Sequence, residues 1–185
     1  MLQQIVSLVV GTLADLLGLA FLLRLWLQWT RAGMRHTVGG VAAAFTDWAV
    51  LPLRRLIPGY FGIDWAALLP AWALQFVHLA LLALLMGASD ALPGLALVAL
   101  IETLRLGVWL LIGGLIVAAI LSWLQPYSPW RSLLDVLTRP MLQPLRRFIP
   151  LIGGLDLTPL VAILLLQVVL IVLAGLTPAI LPRPY

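Results

Sequence analysis

Four stretches of the chain, residues 4–29, 65–87, 95–124 and 157–178, consist almost entirely of leucine, valine, isoleucine, alanine and aromatic side chains. Each exceeds the about 20 apolar residues that a helix needs to cross a bilayer. The alternation of period two that marks a membrane β-barrel is absent, and a lipid-exposed backbone has to satisfy its own hydrogen bonds. The pattern therefore predicts an all-α transmembrane fold with about four spans. Two segments between spans follow a different rule. Over residues 131–149, Leu133, Leu134, Leu137, Met141, Leu145 and Phe148 recur at steps of three and four, while Arg131, Asp135, Arg139 and Arg146 fill the rest of the wheel. Over residues 40–57, Val41, Phe45, Trp48 and Val50 do the same less regularly. Such faces predict amphipathic helices in the plane of the interface. Pro52 and Pro144, which lack a backbone donor, are expected to bend or stop them.

A duplication organises these elements. Pro52-Leu53-Arg54-Arg55-Leu56-Ile57-Pro58 returns 92 positions later as Pro144-Leu145-Arg146-Arg147-Phe148-Ile149-Pro150. At the same offset Thr46 meets Thr138, Gly62 meets Gly154, Asp64 meets Asp156 and Gln75 meets Gln167; upstream, Gln28-Trp29 meets Ser122-Trp123 at an offset of 94. The chain reads as two copies, residues 1–92 and 93–185, of one unit: span, amphipathic segment, P-L-R-R-x-I-P, G-x-D, span. Because a unit holds an even number of spans, both copies enter the membrane from the same side, as parallel repeats do.

These duplicated motifs resemble the YggT (YlmG) family of small membrane proteins of bacteria and plastids, over essentially the whole chain. The resemblance implies an inner-membrane protein with links to osmotic and potassium tolerance, to cell-division and nucleoid organisation and, in plastids, to maturation of a cytochrome b6 haem site. The chain departs from the family's threonine-x-proline once, where Trp48 replaces the proline found at Pro140. That departure predicts a more regular helix in the first amphipathic segment than in the second.

Composition narrows the chemistry. The chain is 63% hydrophobic and 10% charged, against about 45–50% and 25% in soluble domains. There is no cysteine, which excludes disulfides, thiolate metal sites and cysteine catalysis. The N-terminal Met1-Leu2-Gln3-Gln4 carries no basic cluster, and the apolar run after it is too long for a cleaved signal, so it is expected to be a retained span. All eleven basic residues are arginine, and eight of them fall in the two inter-span segments. Arginine-rich short loops stay in the cytoplasm. Residues 30–64 and 125–156 are therefore expected on the cytoplasmic side of a bacterial inner membrane, with both termini and the Asp90 turn on the periplasmic side. The net charge of +4 reads as topology and lipid contact, not as nucleic-acid binding.

Candidate functional residues fall into three groups. Arg54, Arg55, Arg146 and Arg147, framed by Pro52, Pro58, Pro144 and Pro150, either anchor topology on anionic lipid headgroups or dock a membrane or cytoplasmic protein that bears carboxylate or phosphate. Asp64 and Asp156 precede spans as helix caps, or pair with the arginines before them, or contact a cation; Thr158-Pro159 marks a helix start. Within the spans stand Asp15, Arg24, Gln75, His78, Glu102, Arg105 and Gln167. Arg24 is close enough to the cytoplasmic end to snorkel, and Glu102 and Arg105 share a helix face. Asp15, without a local partner, has to face the bundle interior, a water-filled cavity or another subunit. Gln75 and Gln167 are expected to hydrogen-bond between helices. His78 has no second intramembrane histidine with which to make a metal or haem pair, and it reads as a hydrogen-bonded core residue. Gly11, Gly18, Gly107, Gly113 and Gly114 predict close packing of the first and third spans, and Trp26, Trp29, Trp65, Trp123 and Trp130 an aromatic belt.

No nucleophile–base pair, metal cluster or phosphate loop appears, so neither catalysis nor a cofactor is expected. The residues favour a non-enzymatic scaffold or assembly factor that docks partners or anionic lipid through its P-L-R-R motifs. The alternative is a cation (potassium) transport or osmotic-stress protein, acting as a homo-oligomer because four spans are few to enclose a pore. Reporter fusions placed in the two arginine-bearing segments should both report the cytoplasm; opposite reports would refute the parallel duplication.

Overall fold

The computed structural model describes residues 2–32, 37–57, 59, 62–85, 92–124, 129–149 and 156–180. They form six helices: α1 (Leu2–Trp29), α2 (Thr37–Leu56), α3 (Trp65–Leu85), α4 (Leu92–Leu124), α5 (Pro129–Leu145) and α6 (Thr158–Ile180). Four of them, α1, α3, α4 and α6, are long and apolar enough to cross a membrane. At about 1.5 Å of rise per residue, 20 residues cover the hydrocarbon thickness of about 30 Å. The two remaining helices, α2 and α5, are the amphipathic elements, and each joins the two spans of its own repeat. The expected all-α transmembrane architecture is observed.

Packing is not symmetric between the repeats. The central helix pair is α3 and α4: α3 lies against both α1 and α4, whereas α6, among the described residues, packs on α4 and on no other span. Phe21 and Leu22 of α1 cluster with Ala66 and Ala67 in the first turn of α3. The last eight residues of α1 therefore run past the start of α3, by roughly 12 Å. In the second repeat Ile112 and Leu115 meet Ala162 of α6, while α4 continues to Leu124. The amphipathic helices pack on these extensions: Ala49 and Val50 of α2 on Phe21 and Leu22, Leu142 of α5 on Val108 and Ile112.

One side chain ties the two halves together at this level. Trp26 of α1 clusters with Ala42 of α2 and with Leu133 and Leu137 of α5, and its indole N–H donates to the Leu137 carbonyl at 3.2 Å. Its ring lies so close to α4 that a Cβ built on Gly114 would stand 2.6 Å from it. The first and third spans do touch here and at Gly18, where an added Cβ would approach Leu106 to 3.8 Å. The three other glycines do not mark that contact: Gly11 accommodates the His78 ring of α3, and Gly107 and Gly113 face open space.

The prolines act unequally: α2 does not stop at Pro52, whereas α5 ends one residue beyond Pro144. α2 runs through Pro52 to Leu56, and α5 through Pro140 and Pro144 to Leu145. Helical hydrogen bonds continue beyond them, from the Ile57 amide to Leu53 and from the Arg146 amide to Leu142. All three prolines lie on exposed faces, where a carbonyl that loses its donor is not buried unpaired. The second segment is therefore as continuous a helix as the first, despite Pro140. Pro58 and Pro150 lie outside the described residues. α1 ends in a Schellman turn, with Ala32 N donating to Leu27 O and Arg31 N to Gln28 O; Arg31 takes the left-handed position at φ 54° that glycine usually fills.

Gly114 and Gly113 make a matched test. Gly114→Ala should lower the thermal midpoint in detergent, because overpacking against a hydrogen-bonded tryptophan costs about 1–3 kcal/mol. Gly113→Ala should leave the midpoint level or raise it, since alanine is the better helix former and meets no neighbour.

Candidate functional site

Each repeat closes its amphipathic helix onto its second span through one ion pair. Arg54, in the last turn of α2, donates from Nη2 and Nε to Oδ2 of Asp64 at 2.6 and 3.2 Å. Arg146, in the turn that follows α5, places Nη2 2.9 Å and Nε 3.1 Å from Oδ2 of Asp156. The spacing is ten residues in both. A cation at a helix C-terminus and an anion at the next helix N-terminus each meet the favourable end of a dipole. Of the readings open for the aspartates, pairing with the preceding arginine holds at both positions. Capping is added at Asp156, whose Oδ1 accepts the Thr158 amide at 3.0 Å. Partial burial by itself raises the Asp156 carboxyl, but the neighbouring Thr158, whose amide it accepts, and the charge and hydrogen bond of Arg146 outweigh it, and the group is held below its ordinary value.

The second arginine of each motif is left over. Arg55 and Arg147 are exposed and form no ion pair among the described residues, and the same holds for Arg139. Beside them stand Leu56 and Phe148, 81% and 84% exposed. Trp48, Phe45 and Leu51 of α2 are exposed as well. The site is thus a guanidinium bordered by apolar side chains, presented once per repeat on the same side of the bundle.

The intramembrane polar residues are partly paired. Gln75 of α3 is buried and donates from Nε2 to Oδ1 of Asp15 at 2.9 Å, which supplies the partner that Asp15 lacks on its own helix. Arg105 donates to both carboxylate oxygens of Glu102 at 2.7 and 3.0 Å, as the three-residue spacing predicts. Arg24 does not snorkel. It is 3% exposed beneath α2, where Nη1 donates to Thr46 Oγ1 at 2.7 Å and pairs with Asp47 Oδ1 at 2.5 Å. Gln167 is exposed on α6 and makes no interhelical bond among the described residues. His78 is also not the hydrogen-bonded histidine expected: both ring nitrogens are buried and unpartnered among the described residues, with the ring against Gly11.

Sequence reasoning overlooked Asp47, because nothing local links it to a residue 23 positions earlier. The signal available was Thr46, which recurs as Thr138 inside an otherwise apolar face. Both are buried, and each donates its hydroxyl to the carbonyl four residues back, Ala42 and Leu134.

Comparison with known proteins agrees with the internal duplication. The family model described as CCB3/YggT matches residues 3–85 and 97–177. The chain is 34% identical over 160 residues to the protein YggT of Escherichia coli K12, covering 86% of this chain and 84% of that one. It is 39% identical over 165 residues to a protein encoded in the proC 3' region of Vibrio alginolyticus, covering 87% and 89%. It is 33% identical over 165 residues to an uncharacterised protein of Pseudomonas aeruginosa, covering 87% and 84%. No solved structure matches.

Because Asp156 is harder to protonate in the fold than in the unfolded chain, its contribution is complete above the unfolded carboxylate value of about 3.9. It is lost as pH falls through the lowered native value. Asp156→Asn keeps a capping oxygen and removes the charge, and should reduce stability at pH 7 by about 0.3–1 kcal/mol, the worth of an exposed anion at a helix N-terminus. The gap in thermal midpoint between variant and parent should shrink as pH is lowered below about 4; a gap independent of pH would refute the ionised cap.

Proposed function

The chain belongs to the CCB3/YggT family, and on that premise we propose that it is a non-enzymatic membrane scaffold that gathers anionic groups at the basic ends of α2 and α5. The carrying observation is the division inside each P-L-R-R motif. Arg54 and Arg146 are committed to Asp64 and Asp156, while Arg55 and Arg147 stay exposed beside Leu56 and Phe148. A guanidinium flanked by exposed apolar side chains suits the boundary between headgroups and acyl chains. Its planar fork recognises phosphate and carboxylate bidentately. The arginine bias supports placing this face on the cytoplasmic side of a bacterial inner membrane. Two such sites on one rigid bundle hold anionic lipid, or the acidic surface of a protein partner, at a fixed spacing.

The cation-transport reading has less support. A route through the hydrocarbon needs polar side chains that line a common path, whereas Asp15 is bonded to Gln75 and Glu102 to Arg105. The grooves between α1, α4 and α5 and between α1, α2 and α3 are walled by aliphatic and aromatic side chains.

Replacing both Arg55 and Arg147 by glutamine should lower retention of anionic phospholipid by the purified protein, read by native mass spectrometry, by about tenfold or more. Two basic contacts near a charged surface contribute about 2 kcal/mol together. Loss of a co-purifying protein with lipid retention intact would assign the same site to a partner's carboxylates. Unchanged retention and unchanged co-purification in a folded variant would refute the scaffold reading.

A further inference from the structure

We propose that this chain assembles with a second copy of itself through a seam in which α6 of one copy lies against α1 of the other, with Gln167 bonded to Asp15 at its centre. The inference starts from the unequal surroundings of repeat-related helices. α3 is flanked by α1 on one side and by α4, the first span of the following repeat, on the other. Its counterpart α6 has α4 on one side; among the described residues no span lies on the other, and α1 and α6 form no packed interface. The step that carries the first repeat to the second, applied once more, sets the first span of another copy beside α6.

An apolar flank alone would be covered by lipid; the polar atoms on it cannot be. Gln167 is exposed on α6 among Leu164, Val168 and Ile171, which are exposed too, and it has no hydrogen-bond partner among the described residues. An amide left open to hydrocarbon is costly, and no lipid offers an acceptor at mid-bilayer. The helix face is also the appropriate one. Thr158, Ala162 and Leu166 are buried, and Ala162 and Leu166 pack on α4. Gln167 is one residue beyond Leu166 and about 100° round the helix, on the flank shared by Ile163, Ile171 and Ala174.

The depth agrees independently. Gln167 follows Asp156 by eleven residues, as Gln75 follows Asp64. Gln75 stands level with Asp15, since its amide donates to Oδ1 there. Gln167 of one copy therefore arrives at the depth of Asp15 in the next. Asp15 is itself on an exposed face of α1, with Leu8 and Leu16 beside it, and Gln75 occupies one of its two carboxylate oxygens. The other receives Gln167 of the second copy. Asp15 then lies between two repeat-related amides, one from its own chain and one from its neighbour. The surfaces on α6 and α1 are different, so the contact is head-to-tail, and it closes as a ring about an axis along the membrane normal.

The chain contains no cysteine, so engineered pairs report the seam without background. Leu8 lies two turns from Asp15 and Ala174 two turns from Gln167, on the matching faces and toward the same membrane surface. Copies that carry Leu8→Cys under one tag and Ala174→Cys under another should form a mixed-tag disulfide when co-expressed and oxidised in native membranes. A Val172→Cys copy, turned about 140° away, should not. Gln167→Leu should cut the 8–174 yield several-fold while the protein remains folded by circular dichroism. The proposal is overturned if the 8–174 yield does not exceed the 8–172 yield, if Gln167→Leu leaves it unchanged, or if native mass spectrometry of the unmodified protein from mild detergent finds a monomer.

Discussion

Hydrocarbon offers no water to a polar atom, so a donor or acceptor carried into the bilayer is costly unless the protein answers it, and most of those among the described residues are answered. That constraint organises this molecule more than its apolar packing does, because lipid is as apolar as leucine and does little to drive helices together. Threonines answer it locally: Thr12, Thr103, Thr46 and Thr138 each donate to the carbonyl four residues back. Charged and amide groups answer it across helices, Asp15 through Gln75 and Arg24 through Thr46 and Asp47. The Arg24 contact has a consequence beyond its own neutralisation. A guanidinium buried to 3% exposure obliges α2 to remain over it, and the position of α2 decides where Arg54 and Arg55 leave the bundle.

The duplicated unit does not solve this problem twice in the same way. At the offset of 94 that relates Trp29 to Trp123, the position of Arg24 is taken by Ala118. The second repeat therefore has no buried arginine with which to hold its amphipathic helix. It borrows the indole of Trp26 from the first repeat, which bonds to Leu137 of α5 and rests on Gly114 of α4. One amphipathic helix is held by a charge network within its repeat and the other by a tryptophan from across the boundary. Duplication preserved the motif at the surface and let the supports beneath it diverge, so the halves are not interchangeable.

Much of this was legible in the residues, for identifiable reasons. The spans were readable because bilayer thickness imposes a length, and Glu102 and Arg105 because a helix fixes which neighbours share a face. The Arg–Asp closures were readable only as one of several options, since the repeat marked the residues without showing which atoms meet. Arg24 was misjudged because snorkelling is a property of an isolated helix, whereas here a second element lies on top of it. Pro52 did not stop α2 because the helix-breaking rule assumes an interior position, and this ring sits on an exposed face, whereas α5 does end one residue beyond Pro144. The glycines misled in part: small size permits close approach, but only Gly11, Gly18 and Gly114 have a neighbour that uses it.

The free arginine of each motif follows from helical geometry. Consecutive helical residues diverge by about 100°, so two adjacent guanidiniums at a helix end do not both face an aspartate at the start of the next helix. Arg54 reaches Asp64 with Nε and Nη2 on a single oxygen, and Arg146 repeats the arrangement on Asp156. The fork that makes this closure is particular to arginine; a lysine ammonium has no second nitrogen to set beside the first. Closing the turn with the first arginine therefore directs the second outward. Leu56 and Phe148, each one position further along, continue the same rotation and come out beside it. A motif whose internal bond is satisfied thus necessarily presents a charge and an apolar side chain together, and the duplication does so twice on one face.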